Sequence, residues 1–229
     1  MDKNNSTAYS RNERKMSTKT FAAMGMLCAI AFVAKLVSSV FPMVSGFLSF
    51  DLKDVIIVIG GFMMGPVPAV IISVVVSFIE MVTISSTGPI GFIMNVLASC
   101  AFACVAAVIY HRNRKMSGAV IGLISGVVAM TAIMLLWNWL ITPLYMNVPR
   151  EVVTGMLATV FLPFNLIKGG INATLAMLLY KPIVTALRKA NLVEESSAGK
   201  KTTKKGVIAV SLVLLVTFVL LGLVLAGVI

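Results

Sequence analysis

Cysteine, histidine and acidic residues are scarce in this chain. Its 229 residues include three cysteines, one histidine and only eight Asp and Glu together. Cys28, Cys100 and Cys104 all fall inside apolar runs, none forms a CxxC pair, and His111 sits alone in a basic segment. Such a set supplies no metal site and no disulfide framework, and the cysteines read as small apolar residues. There is no GxxxxGKS or GxxxxGKT loop. The glycines of GGFMMGP, 60–66, come without a lysine and without a strand-to-helix context, which excludes ATP hydrolysis by that route. HExxH, GxSxG and paired carboxylates within apolar runs are also missing, so neither hydrolase chemistry nor a carboxylate proton relay is indicated. The polar stretch 1–20 lacks the pattern of a cleavable signal peptide. The two halves show no obvious inverted repeat of the kind many secondary transporters carry.

Charge as a whole is sparse. Charged residues make up 12%, hydrophobic residues 59%, and the mean hydropathy is +1.01. Soluble domains carry about twice that share of charge. Several apolar runs reach the roughly 20 residues that cross a bilayer as a helix. The chain therefore reads as an all-α polytopic membrane protein. Its net charge of +11 forms no contiguous basic face, which argues against nucleic acid as a partner.

Spans are expected at about 20–41, 52–64, 68–82, 90–110, 117–144 and 163–187, with an amphipathic stretch at 150–161. The second is short and ends at the GPVP break, 65–68. A further apolar run covers 206–229. The division is a tail at 1–19, a six-helix membrane domain at 20–188, a basic linker at 189–205 and an additional transmembrane helix at 206–229. With that count, Lys3, Arg11, Arg14, Lys15, Lys19, Arg112, Arg114, Lys115, Lys181, Arg188, Lys189 and the linker lysines share one side. The other side holds only Lys53 and Arg150. Basic loops stay in the cytoplasm, so the N-terminus is expected there, in a cell membrane.

Polar residues inside the spans gather toward the opposite, outer side. Glu80, Asn95, Asn138, Asn165 and Lys168 each fall within roughly 10 Å of the outer boundary at 1.5 Å per residue. Asn165 and Lys168 share a helix face, which Asn172 continues one turn deeper. Taken singly, an asparagine serves as well for helix packing, and Lys168 or Lys35 can snorkel to the surface. Together, amides and an ammonium at one depth suit a ligand pocket open to the outside. They fit a neutral heterocycle bearing carbonyls, ring nitrogens and hydroxyls; without an arginine cluster they fit phosphate poorly. Trp137, Trp139 and Tyr145 could stack on such a ring, but they sit where an interfacial aromatic belt is expected, and at least two of them are read as that belt. The apolar loop FPMVSGFLSFDLKD, 41–54, is a candidate lid, with Asp51 and Asp54 expected as helix caps. On span one, Ala22, Gly25 and Ala29 form a small-residue face, suited either to a partner helix or to packing within the protein.

FDLKD, MGP, GPIGFIMNVLAS, WNWLITPLYM and FLPFNLIKGGINA occur in this order across 20–188. In these pieces the chain resembles the substrate-binding S components of energy-coupling factor (ECF) vitamin transporters, most closely the riboflavin-specific type. The resemblance implies a six-helix bundle with a vitamin pocket near the extracellular face, lidded by the loop after helix one. It implies flavin contacts at Asn138, Asn165 and Lys168, with Asn95 and Glu80 carried over more weakly. No cofactor is implied, riboflavin being the transported substrate. The partners implied are a membrane coupling protein and two cytoplasmic ATPases. They would dock where the family has an alanine-xxx-alanine motif, here matched by Gly25 and Ala29. The seventh apolar run departs from the family's six spans and is expected to lie outside the bundle. Rival readings are an S component for thiamine, biotin or a related heterocycle, a solitary ion-coupled transporter, and a membrane enzyme acting on lipid.

Overall fold

The computed structural model describes residues 17–46, 48–192 and 205–228. The tail at 1–16 and most of the basic linker, 193–204, lie outside the described residues. All regular structure among the described residues is helical. The elements are α1 (Thr18–Ser38), α2 (Lys53–Met64), α3 (Pro66–Thr83), α4 (Gly88–Arg112), α5 (Met116–Met146), α6 (Arg150–Met156), a π-helical turn (Leu157–Phe161), α7 (Leu162–Lys189) and α8 (Lys205–Leu225). Six stretches are long and apolar enough to cross a membrane: α1, α3, α4, α5, the run from α6 through α7, and α8. This is a multi-pass α-helical membrane protein.

The short second segment is a real helix but not a full span. Its 12 residues rise about 18 Å, well short of the roughly 30 Å hydrocarbon core. It tolerates this because protein surrounds it: every residue from Lys53 to Phe62 is buried. At its end Gly65 has φ +107°, a conformation open to glycine, and Pro66 then starts α3 with φ already set for a helix. The chain reverses there, so α2 and α3 form a hairpin that brings Lys53 back beside Glu80.

Small residues set the remaining crossings. Gly122 and Gly126 of α5 face α4 so closely that an added methyl would stand 2.7 Å from the Ala106 carbonyl oxygen and 2.5 Å from that of Phe102. A methyl on Gly61 would stand 3.1 Å from Ala107 Cβ and 3.2 Å from Ala69 Cβ. Lipid supplies no hydrophobic drive between helices, so this close backbone approach is what holds them together. The main core runs through α1 to α5 and α7, with Leu27, Ile57, Ile59, Ile72, Phe102 and Met130 fully buried. A second apolar cluster lies at one end and joins the α1–α2 loop to Val153, Phe161, Phe164 and α8.

Candidate functional site

The loop between α1 and α2 folds over the end of the bundle. Val44 and Leu48 exchange backbone hydrogen bonds of 2.8 and 3.0 Å around a tight turn in which Ser45 and Gly46 take positive φ. This points Leu48 into a cleft between the start of α4 and the end of α5. Thr87, Ile90, Gly91 and Met94 form one wall, and Trp137, Asn138, Ile141, Thr142 and Tyr145 form the other. The cleft encloses about 470 Å³, its open mouth included. The α5 wall follows helical spacing: residues 137, 138, 141, 142 and 145 fall on one face, at steps of one, three, one and three.

Asn138 and Thr142 are the buried polar residues of this cleft, and Asn138 carries its amide. Its Nδ2 donates to the Met134 carbonyl at 2.7 Å, and its Oδ1 accepts from Thr142 Oγ1 at 2.9 Å. These bonds fix the amide and leave one N–H and one lone pair for another partner. Trp137 and Tyr145 supply aromatic surface, whereas Trp139 faces outward with the Arg150 guanidinium 5.0 Å from its ring centroid. Two of the three aromatics thus line the cleft and Trp139 alone of them fits the interfacial belt, where at least two were expected.

The other predicted residues do not line this cleft. Asn165 is buried on α7 and donates through Nδ2 to the Phe161 carbonyl at 2.8 Å, at the junction with the π-helical turn. Lys168, one turn further, is half-buried and makes no ion pair within 4 Å among the described residues, yet its charge acts on Asp51 and Asp54. Asn172 is 1% exposed, and neither of its amide atoms has a hydrogen-bond partner among the described residues. Asn95 is half-buried on α4, one residue beyond the cleft-lining Met94.

Glu80 has a different setting. It belongs to a buried ring of four alternating charges. Lys35 Nζ lies 3.2 Å from Glu80 Oε1 and 3.5 Å from Asp51 Oδ2, while Lys53 Nζ lies 3.1 Å from Asp51 Oδ2 and bonds Glu80 Oε2. Lys35 therefore does not snorkel: it is 9% exposed and turned inward onto two carboxylates. Lys53, which as a loop residue would be expected to reach water, is 1% exposed. Asp51 does accept from the Lys53 backbone N–H at 3.0 Å, as a capping residue would, but its second oxygen closes the ion ring. Asp54 does not cap; it accepts from Ser99 Oγ across to α4, and its other oxygen is unpartnered among the described residues. Local sequence offers little sign of this ring, because its members come from α1, the loop, α2 and α3. Ala22, Gly25 and Ala29 are exposed on α1, and a methyl on Gly25 would meet nothing within 4 Å, so among the described residues this face is not used for packing.

Comparison with known proteins bears on the family and the fold. Residues 19–180 match the family model described as ECF transporter, substrate-specific component. The chain is 28% identical over 190 residues to the riboflavin transporter RibU of Staphylococcus aureus strain TCH60, covering 78% of this chain and 97% of that protein. It is 27% identical over 190 residues to the riboflavin transporter FmnP of Bacillus subtilis strain 168, covering 77% of this chain and 100% of that one. Among solved structures, the S component of a bacterial ECF transporter superposes with a TM-score of 0.63 at 28% identity, over 74% of this chain and 98% of its own.

Proposed function

The chain belongs to the ECF transporter substrate-specific component family, and from that premise we propose that it is the riboflavin-binding subunit of an ATP-driven vitamin importer. The observation that carries the substrate is the lidded cleft, with aromatic faces at Trp137 and Tyr145 and a buried, oriented amide at Asn138. A flat heterocycle with carbonyls and ring nitrogens needs both features, stacking surface and a few fixed donors. Similarity to two proteins named as riboflavin transporters favours a flavin over other rings. Asn165 and Lys168 on α7 lie outside the cleft as it stands and supply further donors to a substrate that reaches beyond it toward α7, and Asn95, beside the cleft-lining Met94, is a weaker candidate contact. Glu80 serves by holding the root of the lid through Lys35, Lys53 and Asp51.

In this reading the cleft end faces outward, and the basic ends of α4, α5 and α7 lie in the cytoplasm with the N-terminus. Substrate is captured outside and released inside. Without a phosphate-binding loop of its own, the chain takes energy from a coupling protein and two ATPases. The exposed small-residue face of α1, Ala22, Gly25 and Ala29, is where the coupling protein docks, since it permits close helix approach.

The deciding experiment is quenching of riboflavin fluorescence by the purified protein in detergent. Tight one-to-one quenching is expected. No quenching by folded protein would overturn riboflavin as substrate and move the cleft to another heterocycle, such as thiamine or biotin.

A further inference from the structure

α8 has the length and apolarity of a plain membrane anchor, and most of its surface is exposed. Its packing is more particular than an anchor needs. One face, carrying Ser211, Leu215, Phe218, Gly222 and Leu225, turns toward the bundle, while Val210, Val213, Val216, Leu220 and Val224 point away. On the inward face the Phe218 ring lies flat on Gly170 of α7. A methyl at Gly170 would stand 2.5–2.6 Å from three of its ring atoms, so the ring occupies space that only a hydrogen leaves free.

One turn beyond, α8 reaches the lid. A methyl on Gly222 would stand 3.2 Å from Phe50 Cζ and 3.6 Å from Ile167 Cγ2. Phe50 is 7% exposed, with its ring centroid 5.2 Å from that of Phe164. It sits two residues after Leu48, which lines the cleft, and one residue before Asp51, which enters the ion ring. The α1–α2 loop is therefore held at its root by charge and in its middle by a socket for Phe50. Phe164 and Ile167 of α7 form two walls of that socket, and Gly222 of α8 forms the third.

We propose that α8 is a positioning element of the substrate site: it closes the Phe50 socket and so sets how long a bound substrate is retained beneath the lid. This rests on the reading of the cleft as the substrate site. Lid opening that draws Leu48 off the cleft must lift Phe50 from its socket. In lipid the cost of lifting it comes from lost packing contacts rather than from exposure to water, so the fit of the third wall matters. The effect belongs in dissociation, where affinity within one site is mostly tuned.

Two full-length variants test this. Phe218→Ala removes the ring that keys α8 to Gly170, and Gly222→Leu pushes a side chain at Phe50 without weakening the helix. Stopped-flow flavin fluorescence should show dissociation accelerated about tenfold in both variants, with association changed less than roughly twofold. Backbone hydrogen exchange across 41–52 should also quicken in the ligand-free variants. Wild-type dissociation and wild-type exchange in folded Gly222→Leu protein would overturn the proposal and leave α8 an anchor. If the wild-type protein binds no riboflavin, the substrate reading fails instead. The role of α8 is then decided by the exchange measurement alone, which needs no ligand.

Discussion

Replacing Glu80 by glutamine should damage stability far more than substrate binding. In the native ring two ammoniums, Lys35 and Lys53, alternate with two carboxylates, Asp51 and Glu80, and the four charges sum to zero. Glu80→Gln keeps the volume and leaves one uncompensated positive charge. Lys53 at 1% exposure has no route to water, although it keeps Asp51 at 3.1 Å. Breaking a buried pair in this way costs about 3–5 kcal/mol, and the retained Asp51 contact puts the expectation near the lower end, about 3 kcal/mol. For a chain of this length, at roughly 2–4 °C per kcal/mol, the melting temperature in detergent should fall by about 6–12 °C. The double variant Lys53→Met with Glu80→Gln restores neutrality and should recover most of that loss, because Lys35 and Asp51 remain paired. A double-mutant cycle on tryptophan-monitored unfolding gives the coupling directly. Riboflavin affinity below the melting range should change only about threefold, well under the roughly 1.4 kcal/mol of a tenfold effect. The reasoning is refuted if Glu80→Gln shifts stability by less than about 1 kcal/mol while abolishing binding, since Glu80 would then be a substrate ligand rather than a structural tie.

Three further outcomes are expected. Lys168→Ala should weaken riboflavin binding by about 1.5–3 kcal/mol, roughly 10–150-fold in fluorescence titration, because a charged donor to the substrate is lost; unchanged affinity would return Lys168 to a lysine that reaches the surface. Gly126→Val, whose first carbon would stand 2.5 Å from the Phe102 carbonyl oxygen, should force α5 from α4 and lower stability by about 1–3 kcal/mol in thermal unfolding. Gly25→Leu should leave flavin quenching intact and abolish co-purification with the energising module, since it fills an exposed face that touches nothing among the described residues.

Much of this architecture is legible in the sequence because membrane helices obey local rules. Apolar run length, the GPVP break and the prolines at 89, 149 and 163 place the helices to within a few residues. Even the division between Trp137 and Trp139 is readable: two residues on a helix are about 200° apart, so both cannot face one cleft. The ion ring is not readable in this way. Snorkelling and capping are judgements about a residue and its near neighbours, whereas Lys53 meets Glu80 27 residues away and Asp54 meets Ser99 45 residues away. Only the α2–α3 hairpin and the α4 crossing create those encounters. The π-helical turn before Asn165 is likewise announced by nothing local except Pro163, which lacks the N–H of a regular ladder.

α8 shows how one side of the bundle can be elaborated without disturbing another. Family similarity ends at residue 180, before α8 begins. α8 packs along α7, whereas α1 packs on α2 and α3 and keeps Ala22, Gly25 and Ala29 uncovered. Within the described residues, then, the added helix and the small-residue face occupy different surfaces. A helix laid across α1 would compete with any partner there. A helix laid on α7 at Gly170 instead meets the apolar cluster around Phe50; if the cleft holds substrate and the α1 face docks the coupling protein, as proposed, its packing bears on substrate retention and leaves the docking face open.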